Sequence, residues 1–144
     1  MALPMARDTF YPQVKAALTK EGWTITHDPL KIEIGGVKLE VDLAAQRSIE
    51  GVLAAERNNE KIAVEVKSFI SPSPTNELHT ALGQFINYRT ALAEIDPDRK
   101  LYLAIPVAVY TDFFQLPFPQ RIVRENNINL LVYDPIYQEV VKWL

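Results

Sequence analysis

Three charged residues stand out by type and spacing. Glu65 and Lys67 sit two apart in the otherwise apolar run Ile62-Ala63-Val64-Glu65-Val66-Lys67, and Asp42 closes an earlier alternating run. Residues i and i+2 of a strand project from the same face, so Glu65 and Lys67 would point together. A lysine in a run that reads as a central strand needs a partner or a function, because burying an unpaired ammonium is costly. If the segment carrying Asp42 lies beside this strand, two carboxylates converge on one hard cation. Mg2+ suits such a site, since it takes one or two carboxylates and keeps room for water and phosphate oxygens; Mn2+ has similar ligand preferences. Asp42 and Glu65 would be the metal ligands, with the backbone carbonyl of Val66 as a further one. The ion would polarise a scissile phosphate and acidify a bound water. Lys67 would orient that water and stabilise the developing charge. Glu-x-Lys by itself is most often a solvated pair on an edge face, so the elements that position it decide the matter.

The pattern along the chain supplies those elements. Residues 8–21 predict a helix with Asp8 as N-cap and Gly22 as its stop, followed by a short strand over 23–26. Residues 30–34 and 37–43 flank Gly35-Gly36 and predict a hairpin, whose second arm alternates apolar and charged residues and ends on Asp42 and Leu43. Residues 44–51 read as a connection or a short helix ending at Gly51, and 52–56 as a strand candidate. Asn58-Asn59 reads as a turn, and 61–67 as a strong strand.

Residues 75–94 predict the longest helix, with Leu78, Leu82, Phe85, Arg89 and Leu92 along one side. Gln84 and Tyr88 are four apart on it, and Glu77 lies on the same stripe, so one polar stripe could face the acidic site. The alternative is that Gln84 borders solvent and Tyr88 packs at a wet rim. A covered strand over 100–105, short helices over 107–115 and 119–126, and strands over 129–133 and 139–143 complete the chain. The expectation is an α/β fold with a mixed sheet flanked by helices, in one domain spanning residues 1–144.

Bulk properties narrow the function classes. The chain has 144 residues, 48% of them hydrophobic, and a formal charge of −3, so it is not a general basic nucleic-acid coat protein. It has no cysteine, which excludes thiolate zinc sites, disulfides and cysteine nucleophiles. The first residues hold no apolar run of signal-peptide length, and no stretch approaches the roughly 20 apolar residues of a membrane span. No membrane association and a cytoplasmic location are the simplest expectations.

Other residues enter as weaker candidates. His27 and His79 fit no zinc spacing; His79, early on the long helix, either approaches the site edge or serves in capping and packing. Glu21, ending the first helix, is a further acidic candidate. Phe113, Phe114, Leu116 and Phe118 read as core of short helices or, alternatively, as a partner or homodimer surface. The scattered basic residues Lys15, Lys20, Arg89, Arg121 and Arg124 form no recognisable groove.

Two resemblances follow from these residues. Asp42 together with Glu65-Val66-Lys67 resembles the PD-(D/E)xK signature of restriction-endonuclease-like enzymes, although Val41, not proline, precedes the aspartate. Gln84-Phe85-Ile86-Asn87-Tyr88 resembles the Gln-x-x-x-Tyr element of RecB-type nucleases. The predicted order αβββαβ, with a C-terminal helix–strand extension, also resembles that fold. This resemblance implies Asp42, Glu65, Lys67 and Gln84 as catalytic residues, with Tyr88 as a weaker one.

A longer resemblance covers nearly the whole chain. Gly22-Trp23-Thr24-Ile25-Thr26-His27-Asp28-Pro29-Leu30, Ile62 through Phe69, His79 through Tyr88, and the ending Val132-Tyr133-Asp134-Pro135 with Val141-Lys142-Trp143 are similar to XisH, the fdxN element excision controlling factors of cyanobacteria. That family implies a role with an XisI-like partner protein in excising a DNA element during heterocyst differentiation. A separate site-specific recombinase performs the strand exchange there. The resemblance therefore implies a DNA partner, and leaves open a Mg2+-dependent endonuclease and a non-catalytic DNA- and partner-binding factor.

Overall fold

The computed structural model describes residues 8–50 and 57–144. In chain order these give α1 (Tyr11–Lys20), β1 (Thr24–His27), β2 (Leu30–Ile34), β3 (Val37–Val41), β4 (Leu43–Glu50), β5 (Arg57–Val66), α2 (Pro74–Ile95), β6 (Arg99–Pro106), α3 (Val107–Thr111), a 3-10 turn at Phe113–Gln115, α4 (Pro117–Glu125), β7 (Leu130–Asp134) and β8 (Glu139–Trp143). The fold is mixed α/β. Six strands form one sheet in the order β1-β4-β5-β6-β7-β8, and β2-β3 form a separate hairpin. Pairing is parallel at β5–β6 and β6–β7 and antiparallel elsewhere.

Alternation along β5 divides the core. Ile62, Val64 and Val66 face one cluster with Val14 and Leu18 of α1, whereas Ala63 faces another with Leu78, Phe85 and Tyr88 of α2. This is the period-two arrangement of a strand covered on both faces. Gly35 and Gly36 turn the hairpin at φ 54° and 82°, the left-handed pair that matches strand twist in a two-residue loop. Both outer strands of the large sheet, β1 and β8, carry a register irregularity, a device that hinders edge-to-edge pairing.

Several local expectations are corrected. Residues 44–51 are neither a connection nor a helix: Leu43–Glu50 is a strand paired with both β1 and β5. Its run Leu-Ala-Ala-Gln-Arg-Ser-Ile-Glu has little β propensity, and pairing on both sides overrides that. Asn58 and Asn59 lie in β5 opposite Ile49 and Ser48, so they form no turn. The expected strand over 52–56 lies outside the described residues. The second hairpin arm stops at Val41, one residue before Asp42. The first helix begins at Tyr11 with Phe10 as its N-cap, so Asp8 is not the cap. Among the described residues no helix is long and apolar enough to cross a membrane.

Candidate functional site

Asp42 occupies the step between the small hairpin and the large sheet. Val41 before it packs in the cluster on the α2 side, and Leu43 after it packs on the α1 side. The β4–β5 register pairs Leu43 with Val64, which brings Asp42 beside Glu65. The Asp42 N–H donates to Glu65 Oε1 at 3.2 Å, and the Val66 N–H donates to Asp42 Oδ2 at 2.8 Å. Each acid is thus held by the other's backbone neighbourhood. Lys67 Nζ lies 4.0 Å from Glu65 Oε2, and the Lys67 N–H donates to the Ala104 carbonyl at 3.0 Å, continuing the β5–β6 pairing past the strand end.

Glu65 is only 5% exposed. Its carboxyl is pushed up to about 8 by burial and by the Asp42 charge, and the Lys67 ammonium offsets only part of this. Two carboxylates and one ammonium share this corner, and the Asp42 charge disfavours ionisation of Glu65. Tyr88 of α2 is buried, and its hydroxyl is shifted upward by burial and by the charges of Glu65, Asp42 and Glu40. Its ring joins the core on the α2 side, while its hydroxyl feels the charges of the acidic corner. Gln84 precedes it by one helical turn, and its Oε1 is buried without a hydrogen-bond partner.

The weaker candidates separate from this group. Glu21 is exposed at the end of α1, and its carboxylate accepts from the Trp143 indole N–H at 3.1 and 3.2 Å. It therefore belongs to the β8 edge and not to the Asp42 corner. His79 is exposed on α2. It caps nothing, since Ser73 is the N-cap and its Oγ accepts from the Asn76 N–H at 3.2 Å. Arg89 donates to the carbonyls of Asn126 at 2.6 Å and Asn127 at 3.2 Å, fastening α2 to the end of α4. The aromatic group divides: Phe113 and Phe114 pack on Phe69, while Leu116 and Phe118 are exposed.

Two residues near the site were not among the expected site residues. Asp8 accepts from the Ser68 N–H through Oδ2 at 2.8 Å and from the Phe10 N–H through Oδ1 at 2.9 Å, joining the start of α1 to the chain just beyond Lys67. Nothing local marks that contact across 60 residues. Glu40 is felt at Tyr88, and its two-residue spacing from Asp42 on an alternating arm was the available signal.

Among the described residues no group of three or more histidines or acids could hold a metal on its own. The corner's donors are oxygens from two carboxylates, a set that meets the need of Mg2+ when waters or phosphate complete its shell.

No curated protein matches the chain. The crystal structure of an XisH family protein from Nostoc punctiforme is 49% identical, with a TM-score of 0.84 over 95% of this chain and 99% of that one. The crystal structure of a fdxN element excision controlling factor protein from Anabaena variabilis is 51% identical, with a TM-score of 0.83 over 95% of this chain and 98% of that one. The family model described as XisH protein matches residues 4–141. The chain belongs to the XisH family.

Proposed function

We propose that this chain acts in controlling excision of a DNA element, as the name of the Anabaena variabilis relative describes for that protein, and that it does so as a divalent-cation-dependent endonuclease. The sheet would then be a restriction-endonuclease-like core, and Asp42, Glu65 and Lys67 its PD-(D/E)xK site. One observation carries the reading: Asp42 and Glu65 are interlocked through the β4–β5 junction, with Lys67 Nζ 4.0 Å from Glu65. A buried and a half-buried acid held side by side favour a cation, and perturbed groups of this kind concentrate at functional sites.

Asp42, Glu65 and the Val66 carbonyl would hold Mg2+ or Mn2+. When bound, that ion supplies polarisation of a scissile phosphate. Lys67 binds a phosphate oxygen and stabilises charge as the bond breaks. The unpaired Gln84 Oε1 accepts a hydrogen bond from the attacking water and orients it, and Tyr88 closes the wall behind. DNA, an XisI-like protein and a separate recombinase are the partners this reading requires, in the cytoplasm.

A second reading makes the chain a non-catalytic factor that binds DNA and partner protein. The formal charge of −3 favours it, because unaided DNA binding draws on basic surface. The test offers single-stranded, branched and duplex DNA with Mg2+ or Mn2+, with and without the XisI-like protein, to wild type and Lys67→Ala. Cleavage by wild type alone is the expected result. No cleavage of any substrate, or excision in cells that survives Lys67→Ala, rejects the endonuclease.

A further inference from the structure

The large sheet loses a strand partner at the candidate site. β4 pairs with β5 as far as Leu43 and Val64. β6 continues beside β5 to Val66, and the Lys67 N–H still reaches the Ala104 carbonyl at 3.0 Å. Successive N–H groups of an extended chain point to opposite edges. Those of Val66 and Ser68, which flank Lys67, therefore point to the edge that β4 has left. Val66 is 1% exposed and Ser68 4%, so neither N–H is free to turn to water, and a buried donor without an acceptor is costly.

Two aspartates stand in for the missing strand. Asp42 Oδ2 accepts from the Val66 N–H at 2.8 Å, and Asp8 Oδ2 accepts from the Ser68 N–H at 2.8 Å. Asp42 belongs to the site itself. Asp8 precedes α1, and its other oxygen accepts from the Phe10 N–H at 2.9 Å. Both Asp8 oxygens are thus taken by backbone, so the carboxylate acts on Lys67 through the peptide that Lys67 shares with Ser68. That peptide sets ψ of Lys67, while the Ala104 bond fixes the peptide before it. Lys67 is gripped from both sides, and the direction of its side chain follows, with Nζ 4.0 Å from Glu65 Oε2. A group that must meet a reacting phosphate needs such fixing, because an ångström of misplacement can cost about a hundredfold in rate.

We infer that Asp8 is a positioning residue for Lys67. It replaces the strand that β4 no longer supplies and holds the lysine in line with Asp42 and Glu65. This rests on the site described under the proposed function, and on cleavage only for its kinetic consequence.

The test follows the Lys67 Hε–Cε signals of the full, metal-free chain by NMR, identified by their loss in Lys67→Ala. In wild type the two Hε signals are expected to be split, as in a held side chain. In Asp8→Ala they are expected to merge into the position of the exposed Lys38. Asp8→Ser carries the same expectation where Asp8→Ala does not fold: its hydroxyl still accepts from the N–H two residues on, but is too short for Ser68. Glu21→Gln leaves the signals unchanged, since Glu21 binds Trp143. Cleavage supplies the second arm. Asp8→Ala is expected to cut about tenfold more slowly in single turnovers, with unchanged affinity for DNA in calcium, and to add no further loss to Lys67→Ala. An equal loss in both backgrounds marks a merely structural role and overturns the positioning, as do unchanged Lys67 signals in a folded Asp8→Ala or Asp8→Ser. A wild type that never cuts, with Lys67 signals that follow Asp8, rejects the endonuclease and supports the positioning; a wild type and an Asp8→Ala that cut alike do the reverse.

Discussion

The middle and the far end of β5 carry charge clusters of opposite character. At the middle Asp96 accepts from Lys61 at 2.6 Å and from Arg99 Nε at 3.0 Å, and Arg99 Nη1 also reaches the Ile62 carbonyl at 3.0 Å. Partial burial would raise the Asp96 carboxyl, but the hydrogen bonds and charges of Lys61 and Arg99 hold it below its ordinary range. At the C-terminal end Asp42 and Glu65 share Lys67, and Glu65 is pushed up to about 8. The first cluster answers its one acid with two cations, so it fastens β5, β6 and the end of α2. The second leaves an acid poorly answered, and so is suited to receiving something. Equal density of charged residues along a strand therefore does not mean equal role; compensation separates a fastening from a site.

The sharpest way to break this contrast is Arg99→Met, which strips a donor from Asp96 and from the buried Ile62 carbonyl. It is expected to cost about 3 kcal/mol of stability in urea titration, with any cleavage activity kept per folded molecule. A loss under about 0.5 kcal/mol would show that the satisfied cluster fastens nothing.

Lys67→Ala should do the opposite. Cleavage is expected to fall about 10²-fold, the usual effect of removing one group that stabilises developing charge, while the urea midpoint moves little. If folding fails and activity per folded molecule persists, the two clusters have exchanged roles.

The pH dependence sharpens the comparison further. Glu65 is raised from 4.5 to about 8, so across that window the native state holds a proton the unfolded chain has released. Metal-free stability therefore falls as pH rises, by about 2 kcal/mol between roughly pH 6 and pH 8 for one proton. Glu65→Gln should flatten that slope, and Mg2+ should raise the melting temperature of wild type near pH 8 but not of Glu65→Gln. Equal slopes in the two proteins would refute the assignment of the strain to Glu65.

The smallest effects mark the boundary of the site. Glu21→Gln and His79→Ala lie outside both clusters, so each is expected to change stability by less than about 0.5 kcal/mol and to leave cleavage unchanged. A large activity loss from either would extend the site beyond the β4–β5 junction.

Local repetition made much of the molecule legible beforehand. The alternation of residues 61–67, the Gly35-Gly36 turn and the apolar face of the long helix are each encoded within a few neighbouring positions; the turn and the helix appear close to their expected bounds, while the strand begins four residues earlier, at Arg57. Asp42, Glu65 and Lys67 were visible as candidates for the same reason: charged residues break an apolar period.

What only the tertiary structure decided is non-local. Leu43–Glu50 is a strand because β1 and β5 both pair with it, not because its residues favour one. Asp8 binds Ser68 instead of capping α1, and Glu21 binds Trp143, through contacts between residues far apart in sequence. The sequence by itself determined which side chains share a face. Which faces meet, and hence that Asp42 stands beside Glu65 while Glu21 does not, depended on strand register and on the chain crossing between two cores at Asp42.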